Sequence, residues 1–214
     1  MADKFCLVGD LHGRIDLLEY ILSKSKGYRM VFLGDTIHHK QFFKRTKRTS
    51  PIRMLQKLMS LCANDGATLV MGNNENYILR FLAQPEHRIR KREARYTLKC
   101  LSELKYLDRI DIIRWLSLCP LVHEFEANGD VYRCAHGYYI ADPQPHQYPQ
   151  VLTGLRHSWF AEDNLSMHLE PGPKYFFGHY GQPYFRENLH ILDATNFEGV
   201  GAYYTDRKEF LIYY

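Results

Sequence analysis

The chain has 214 residues, 45% hydrophobic and 24% charged, enough for one domain with a sizeable core and ordinary for a globular protein. Its formal net charge of +4 is too small to imply a nucleic-acid binder, and no apolar run approaches the roughly 18 residues that cross a membrane. Its five cysteines (Cys6, Cys62, Cys100, Cys119 and Cys134) never form a C-x-x-C pair, which disfavours a disulfide framework or zinc finger.

In chain order, Met1–Lys4 leads into an apolar segment of about five residues, too short for a signal-peptide core, so a cytoplasmic location is expected. Lys4–Gly9 reads as a buried strand. Ile15–Lys26 reads as an amphipathic helix, with Ile15, Leu18 and Leu22 on one stripe and Gly27 as its stop. Tyr28–Leu33 is a second strand. Ser50-Pro51 has the chemistry of a helix start, a capping residue followed by proline in the first turn, and helical spacing continues to Asn64. Ala67–Met71 is a third strand and Glu75–Gln84 a third helix. Residues 86–118 read as a charged helical insert or cap within a single domain spanning 1–214. Leu121–Glu126 and Val131–Ala135 flank Ala-Asn-Gly-Asp, a hairpin signal. Residues 141–173 read as proline-rich loop. Lys174–Phe177, Leu189–Asp193, Ala202–Thr205 and Phe210–Tyr213 are further strands. Strand–helix alternation followed by a β-rich part predicts an α/β protein with mixed or packed sheets.

Two basic clusters stand out. One holds Lys40, Lys44, Arg45, Lys47, Arg48 and Arg53, the other Arg88, Arg90, Lys91, Arg92 and Arg95. They read either as solvated faces or as contacts for an anionic substrate or partner, weak nucleic-acid contact included.

Five polar turns follow predicted strands: Gly9-Asp10-Leu11-His12-Gly13, Gly34-Asp35-Thr36-Ile37-His38-His39, Gly72-Asn73-Asn74-Glu75, Ala135-His136-Gly137 and Gly178-His179. In open α/β folds the ligand site lies beyond the carboxyl ends of the strands, so these side chains can converge on one crevice. Carboxylate, imidazole and amide oxygen suit divalent first-row ions, and no thiolate lies in any turn. Any one turn alone is an ordinary turn; the set of them points to a metal site.

In this order, G-D-x-H-G, G-D, G-N, H-G and G-H, the motifs resemble the calcineurin-like metallophosphoesterases, and among them the serine/threonine phosphoprotein phosphatase branch. The resemblance implies two packed mixed β-sheets flanked by helices, an α-β-β-α sandwich. It implies two divalent ions, with Mn foremost and Fe, Zn or Ni as alternatives. Asp10 and His12 would hold the first, Asp35 would bridge, and Asn73, His136 and His179 would complete the second. It further implies a hydrolase in which a bridging hydroxide attacks a phosphorylated protein or nucleotide. Gly178-His179 is followed by Tyr180-Gly181 and not by a second histidine, as in the phosphoprotein phosphatase branch. Asp193, in Ile191-Leu192-Asp193-Ala194, is expected to support the ligands from behind.

The departures concern the residues around the metals. The family pattern G-D-x-x-D-R-G is Gly34-Asp35-Thr36-Ile37-His38-His39-Lys40 here, and G-N-H-E is Gly72-Asn73-Asn74-Glu75. Asn74 therefore stands where relatives carry the proton-donating His. His38 replaces the Asp that orients it, and His39 the phosphate-gripping Arg. His38 reads either as a replacement acid or, with His39, as a pocket-lining, phosphate-binding residue. His39, Lys40 and Arg156 are the candidate phosphate contacts. A metal-binding interaction module with little catalysis and a phosphodiesterase acting on nucleotides or nucleic-acid ends are the competing functions.

Overall fold

The computed structural model describes residues 3–37, 50–83, 92–154 and 169–214. Its first sheet has the order β10-β9-β1-β2-β3, built from β1 (Phe5–Val8), β2 (Arg29–Phe32), β3 (Thr68–Leu69), β9 (Val200–Tyr204) and β10 (Glu209–Tyr213). β1, β2 and β3 run parallel, while β9 and β10 are antiparallel additions. The second sheet has the order β4-β5-β6-β8-β7, from β4 (Val122–Ala127), β5 (Asp130–Ala135), β6 (Lys174–Phe177), β7 (Tyr184–Arg186) and β8 (Leu189–Ile191). Its centre, β5-β6-β8, is parallel, with antiparallel edges β4 and β7. Both sheets are mixed, as expected.

Strand alternation assigns the faces. Cys6 and Val8 of β1 join a core with α1 (Ile15–Lys24) and α2 (Pro51–Asn64), through Leu18, Ile21, Leu55 and Leu58. Phe5 and Leu7 point the other way and pack against Tyr132, Cys134 and Phe176 of the second sheet. A two-residue side-chain period makes one short strand serve two cores. The outer face of the second sheet buries Tyr175, Phe177, Leu189 and Ile191, with Val151 of α6 (Tyr148–Thr153).

Local chemistry explains several boundaries. Ser50, the cap of α2, accepts from the Arg53 amide at 3.3 Å, with Pro51 at the first helical position. The β4–β5 hairpin turns on Asn128 and Gly129, both with positive φ, as a type I′ turn requires. α3 (Asn73–Ala83) begins two residues earlier than the predicted Glu75, so Asn73 and Asn74 lie in its first turn. The stretch 86–118 holds α4 (Arg92–Ser102) and α5 (Tyr106–Ser117). Leu98, Leu101, Ile112 and Leu116 of these helices enter the same core as α1 and α2. Among the described residues the sequence pattern does not foretell β7, three residues long after Pro183, or α6, inside the stretch read as loop, or the short 3-10 turns Pro145–Gln147 and Thr195–Phe197. No helix among the described residues is long and apolar enough to cross a membrane.

Candidate metal centre

The loops leaving β1 and β2 are zipped together by backbone hydrogen bonds. Leu11 and His12 amides donate to the Asp35 carbonyl at 3.2 and 2.9 Å, and the Gly13 amide donates to Thr36 at 2.7 Å. His12 and Asp35 both hold left-handed backbone conformations, with φ of 43° and 48°. His179 does so as well, at 67°. Non-glycine residues adopt that region at a cost that surrounding contacts must over-determine, and such positions cluster at ligand clamps.

Asp10 lies just past β1 and is buried; its Oδ1 accepts from the His179 amide at 3.1 Å, and its Oδ2 is 3.5 Å from His12 Nε2. Asp35 is buried and its Oδ1 accepts from the Asn74 amide at 2.8 Å. That amide belongs to the N-terminal turn of α3, where exposed N–H groups and the helix dipole favour an anion. His136 follows β5 and is fully buried. Its Nδ1 lies 2.7 Å from the Leu33 carbonyl, which can only accept, so Nδ1 carries the proton and Nε2 is turned inward. Nε2 sits 3.3 Å from Asp35 Oδ1 and 3.2 Å from Asn73 Oδ1. The His179 ring stands edge-on to His136, centroids 5.1 Å apart.

This donor set tests whether a cation fits. With Nδ1–H committed to Leu33, the Nε2 lone pair faces a carboxylate oxygen and an amide oxygen. The amide orientation is set by Asn73 Nδ2 donating to Asn74 Oδ1 at 3.0 Å. Three electron-rich atoms at such separations repel unless a proton or metal ion lies among them. Ligand atoms of Asp10, Asp35 and His136 all lie within 4.8 Å of one another, close enough to share an ion. The residues therefore fit a divalent metal, and nitrogen with carboxylate oxygen suits transition ions. The titration behaviour follows the same geometry. Burial opposes ionisation of Asp35, but His136 and His12 outweigh it and hold its carboxyl below the ordinary range. Burial likewise opposes a charged His136, but Asp35 and Asp10 outweigh it and raise its pKa.

All six proposed ligands (Asp10, His12, Asp35, Asn73, His136 and His179) thus gather at one end of the paired sheets. Asp193 is buried and accepts from the Gly181 amide at 2.5 Å and from Thr195 through both amide and hydroxyl. It anchors the loop that carries His179. Asn74 is buried too; its Nδ2 donates to the Ile37 carbonyl at 3.2 Å, so the amide is engaged in holding the Asp35 loop. His38, His39, Lys40 and Arg156 lie outside the described residues.

One participant carried no role in the sequence reading. Glu75 is fully buried in the first turn of α3, and its carboxylate gathers amides from both neighbouring loops. The signal was present as a Glu three residues after Gly72, a spacing that lets a helix's first turn reach back to its own start. Close packing of the loops also requires Gly72: a Cβ there would meet the Asp35 amide and lie 2.6 Å from Asp35 Oδ1.

Comparisons agree with this architecture. A family profile described as Calcineurin-like phosphoesterase matches residues 4–206. No curated protein matches. Among solved structures, a candidate diadenosine tetraphosphatase superimposes with TM-score 0.66 at 19% identity, covering 98% of this chain and 92% of that one. A metallophosphoesterase from Sphaerobacter thermophilus gives TM-score 0.60 at 14% identity, over 100% and 88% of the two chains. A protein serine/threonine phosphatase from Saccharomyces cerevisiae with similarity to human phosphatase PP5 gives 0.55 at 14%, over 98% and 78%. At these identities the structures share the fold, while the family match spans nearly the whole sequence: the chain belongs to the calcineurin-like phosphoesterases, a family of metal-dependent hydrolases.

Proposed function

We propose that the chain is a metal-dependent phosphatase of the serine/threonine phosphoprotein phosphatase-like branch, acting on phosphate groups with good leaving groups. The observation that carries this is the convergence of Asp10, Asp35 and His136 ligand atoms within 4.8 Å, with Asn73 and His179 beside them. Asp10, His12 and Asp35 would hold one ion, and Asp35, Asn73, His136 and His179 a second, with manganese the proposed metal. Bound divalent ions would supply Lewis acidity at the phosphoryl oxygens and activate water for in-line attack.

The chain's own residues set the rest. Leu33 fixes the His136 tautomer so that Nε2 faces the ligand cluster. The Gly181 and Thr195 contacts of Asp193 hold the His179 loop in its left-handed turn. Asn74 has no acidic proton to give and its Nδ2 is held by Ile37. Losing a general acid costs about 10²–10⁴-fold in rate, least for leaving groups that depart as stable anions. Aryl phosphates and phosphoanhydrides, such as nucleoside polyphosphates, are thus the proposed substrate class, ahead of serine phosphates.

A substrate panel tests the reading. Protein reconstituted with Mn2+ is expected to hydrolyse p-nitrophenyl phosphate and a nucleoside polyphosphate faster than a phosphoserine peptide, and Asp35→Asn is expected to abolish all three activities. Turnover confined to bis-p-nitrophenyl phosphate would instead favour a phosphodiesterase. No turnover of any substrate by metal-loaded protein would favour the interaction module.

A further inference from the structure

We infer that Phe197 is a specificity-determining residue whose ring serves as a stacking platform for the nucleobase of a nucleoside polyphosphate. The inference rests on the phosphatase reading above and narrows its substrate class. Phe197 is 52% exposed. Single exposed apolar side chains are common on protein surfaces, so exposure alone assigns nothing. Placement does. Phe197 closes the short turn Thr195–Phe197, which crosses from β8 of the second sheet to β9 of the first. β8 runs parallel to β6 and β5, whose ends lead to His179 and His136. β9 starts antiparallel to β1, beside the end that leads to Asp10. The crossing therefore lies at the end of the paired sheets where the ligands gather. Two contacts join it to the ligand loops. The Asn196 amide donates to the Gly181 carbonyl at 2.8 Å, two residues beyond His179. Arg14 Nη1 donates to the Glu198 carbonyl at 3.5 Å, two residues beyond His12. Two residues of chain span at most about 7 Å, so the turn carrying Phe197 stands beside both loops, within the length of a nucleoside whose phosphates reach the centre.

The platform is carried on fixed backbone. Asp193 Oδ1 accepts from the Thr195 amide at 3.0 Å and hydroxyl at 2.7 Å, while its Oδ2 accepts from the Gly181 amide. One buried carboxylate thus holds both the turn and the His179 loop. The Phe197 amide donates to the Ala194 carbonyl at 2.9 Å, and the Glu198 amide to the Thr195 carbonyl at 3.1 Å. A Cβ on Gly181 would lie 2.7 Å from Asn196 Nδ2, so the two loops are in contact. A ring already held in place loses little conformational freedom when a base stacks on it. Stacking uses the π-face that every base has, so Phe197 selects for the presence of a base and not for its identity. Inorganic polyphosphate offers the same phosphates without the ring.

The test compares a methylene-bridged, non-hydrolysable ATP analogue with the methylene-bridged triphosphate that lacks the nucleoside. Each is titrated by calorimetry into the full-length protein with Mn2+ in excess, and kcat and KM are read on ATP and on inorganic tripolyphosphate. Stacking on an aromatic side chain is worth about 5–150-fold in affinity by alanine substitution. Phe197→Ala is expected to bind the ATP analogue weaker by that factor and the ring-free analogue far less so, with the kinetic loss falling on KM for ATP more than on kcat. Phe197→Leu keeps apolar bulk without the ring and is expected to follow Phe197→Ala, whereas Phe197→Tyr is expected to follow wild type. Circular dichroism establishes folding of each, and should Phe197→Ala fail to fold, Phe197→Leu decides. Wild-type affinity for the ATP analogue in the folded variant, or equal weakening for both analogues, overturns the inference. Base-dependent binding through Phe197 without turnover of ATP supports it and overturns the phosphatase reading alone. Turnover of ATP with a KM indifferent to residue 197 overturns this inference alone, and a wild-type chain that binds neither analogue and turns over neither substrate overturns both.

Discussion

Asn74 shows how much a single side chain decides in this site. Its backbone amide caps the Asp35 carboxylate and its side-chain amide holds the Ile37 carbonyl, so the position contributes hydrogen bonds and no proton. Asn74→His is expected to raise kcat on alkyl phosphates more than on aryl phosphates, by up to about 10²-fold on the alkyl series. Steady-state kinetics on matched alkyl and aryl phosphates read this, and an equal change on both would show that another group protonates the leaving oxygen. The ligand candidates were legible as residues because each sits in a polar turn at a strand end, where side chain and position coincide. Glu75 was not legible in the same way. Its partners are backbone amides of residues 35 to 37, and a sequence shows residue types but not where main-chain N–H groups point.

At the scale of elements, the helix starts are written in cap chemistry and the strand ends in burial. The Ser50 cap was readable because Ser-Pro is a local signal, and it has a consequence beyond α2. The Ser50 amide also donates to the Gly13 carbonyl at 3.4 Å, tying the helix start to the loop that carries His12. Ser50→Ala is expected to cost about 1 kcal/mol, and to lower Tm by roughly 2–4 °C in a chain of this size, as read by thermal unfolding. An unchanged Tm would show that the cap is redundant with Pro51. β7 was missed because three half-exposed residues at a sheet edge carry no measurable period. α6 was missed because His146, Pro149 and their neighbours have a loop composition, yet Val151 and Leu152 find burial against the second sheet. α3 starts at Asn73 because the Asp35 carboxylate, distant in sequence, supplies the anion its first turn requires.

Across the whole molecule, two sheets meet along an aromatic seam. Phe5 stacks on Phe125 at 4.0 Å, Phe125 on Tyr132 at 5.1 Å, and Phe176 on His190 at 4.4 Å. An α/β protein with mixed or packed sheets was legible from the order of strands and helices, and two packed sheets from the motif resemblance, but the pairing of the strands into two five-stranded sheets follows from long-range contacts that no local pattern encodes. His190 gives this seam a pH dependence. Burial beside Phe176, Phe185 and Tyr203 pushes its imidazole down to about 4. The unfolded imidazole binds a proton near pH 6.5 while the folded one resists it, so stability is full above about pH 6.5 and is lost as pH falls toward 4. The loss is expected to reach at most about 3 kcal/mol, and His190→Phe to flatten stability across that window, as read by denaturant unfolding at a series of pH values. An equal slope in wild type and variant would place the acid sensitivity elsewhere.

The proposed function stands on residues from five separate turns forming one divalent-metal site. Calorimetric titration of the metal-free chain with Mn2+, alongside Asp35→Asn, tests it most directly. Saturable uptake approaching two ions per wild-type chain is expected, as paired-metal hydrolases require, with loss of that uptake in Asp35→Asn. Absence of saturable Mn2+ binding by the folded wild-type chain, or uptake by Asp35→Asn equal to wild type, would contradict it.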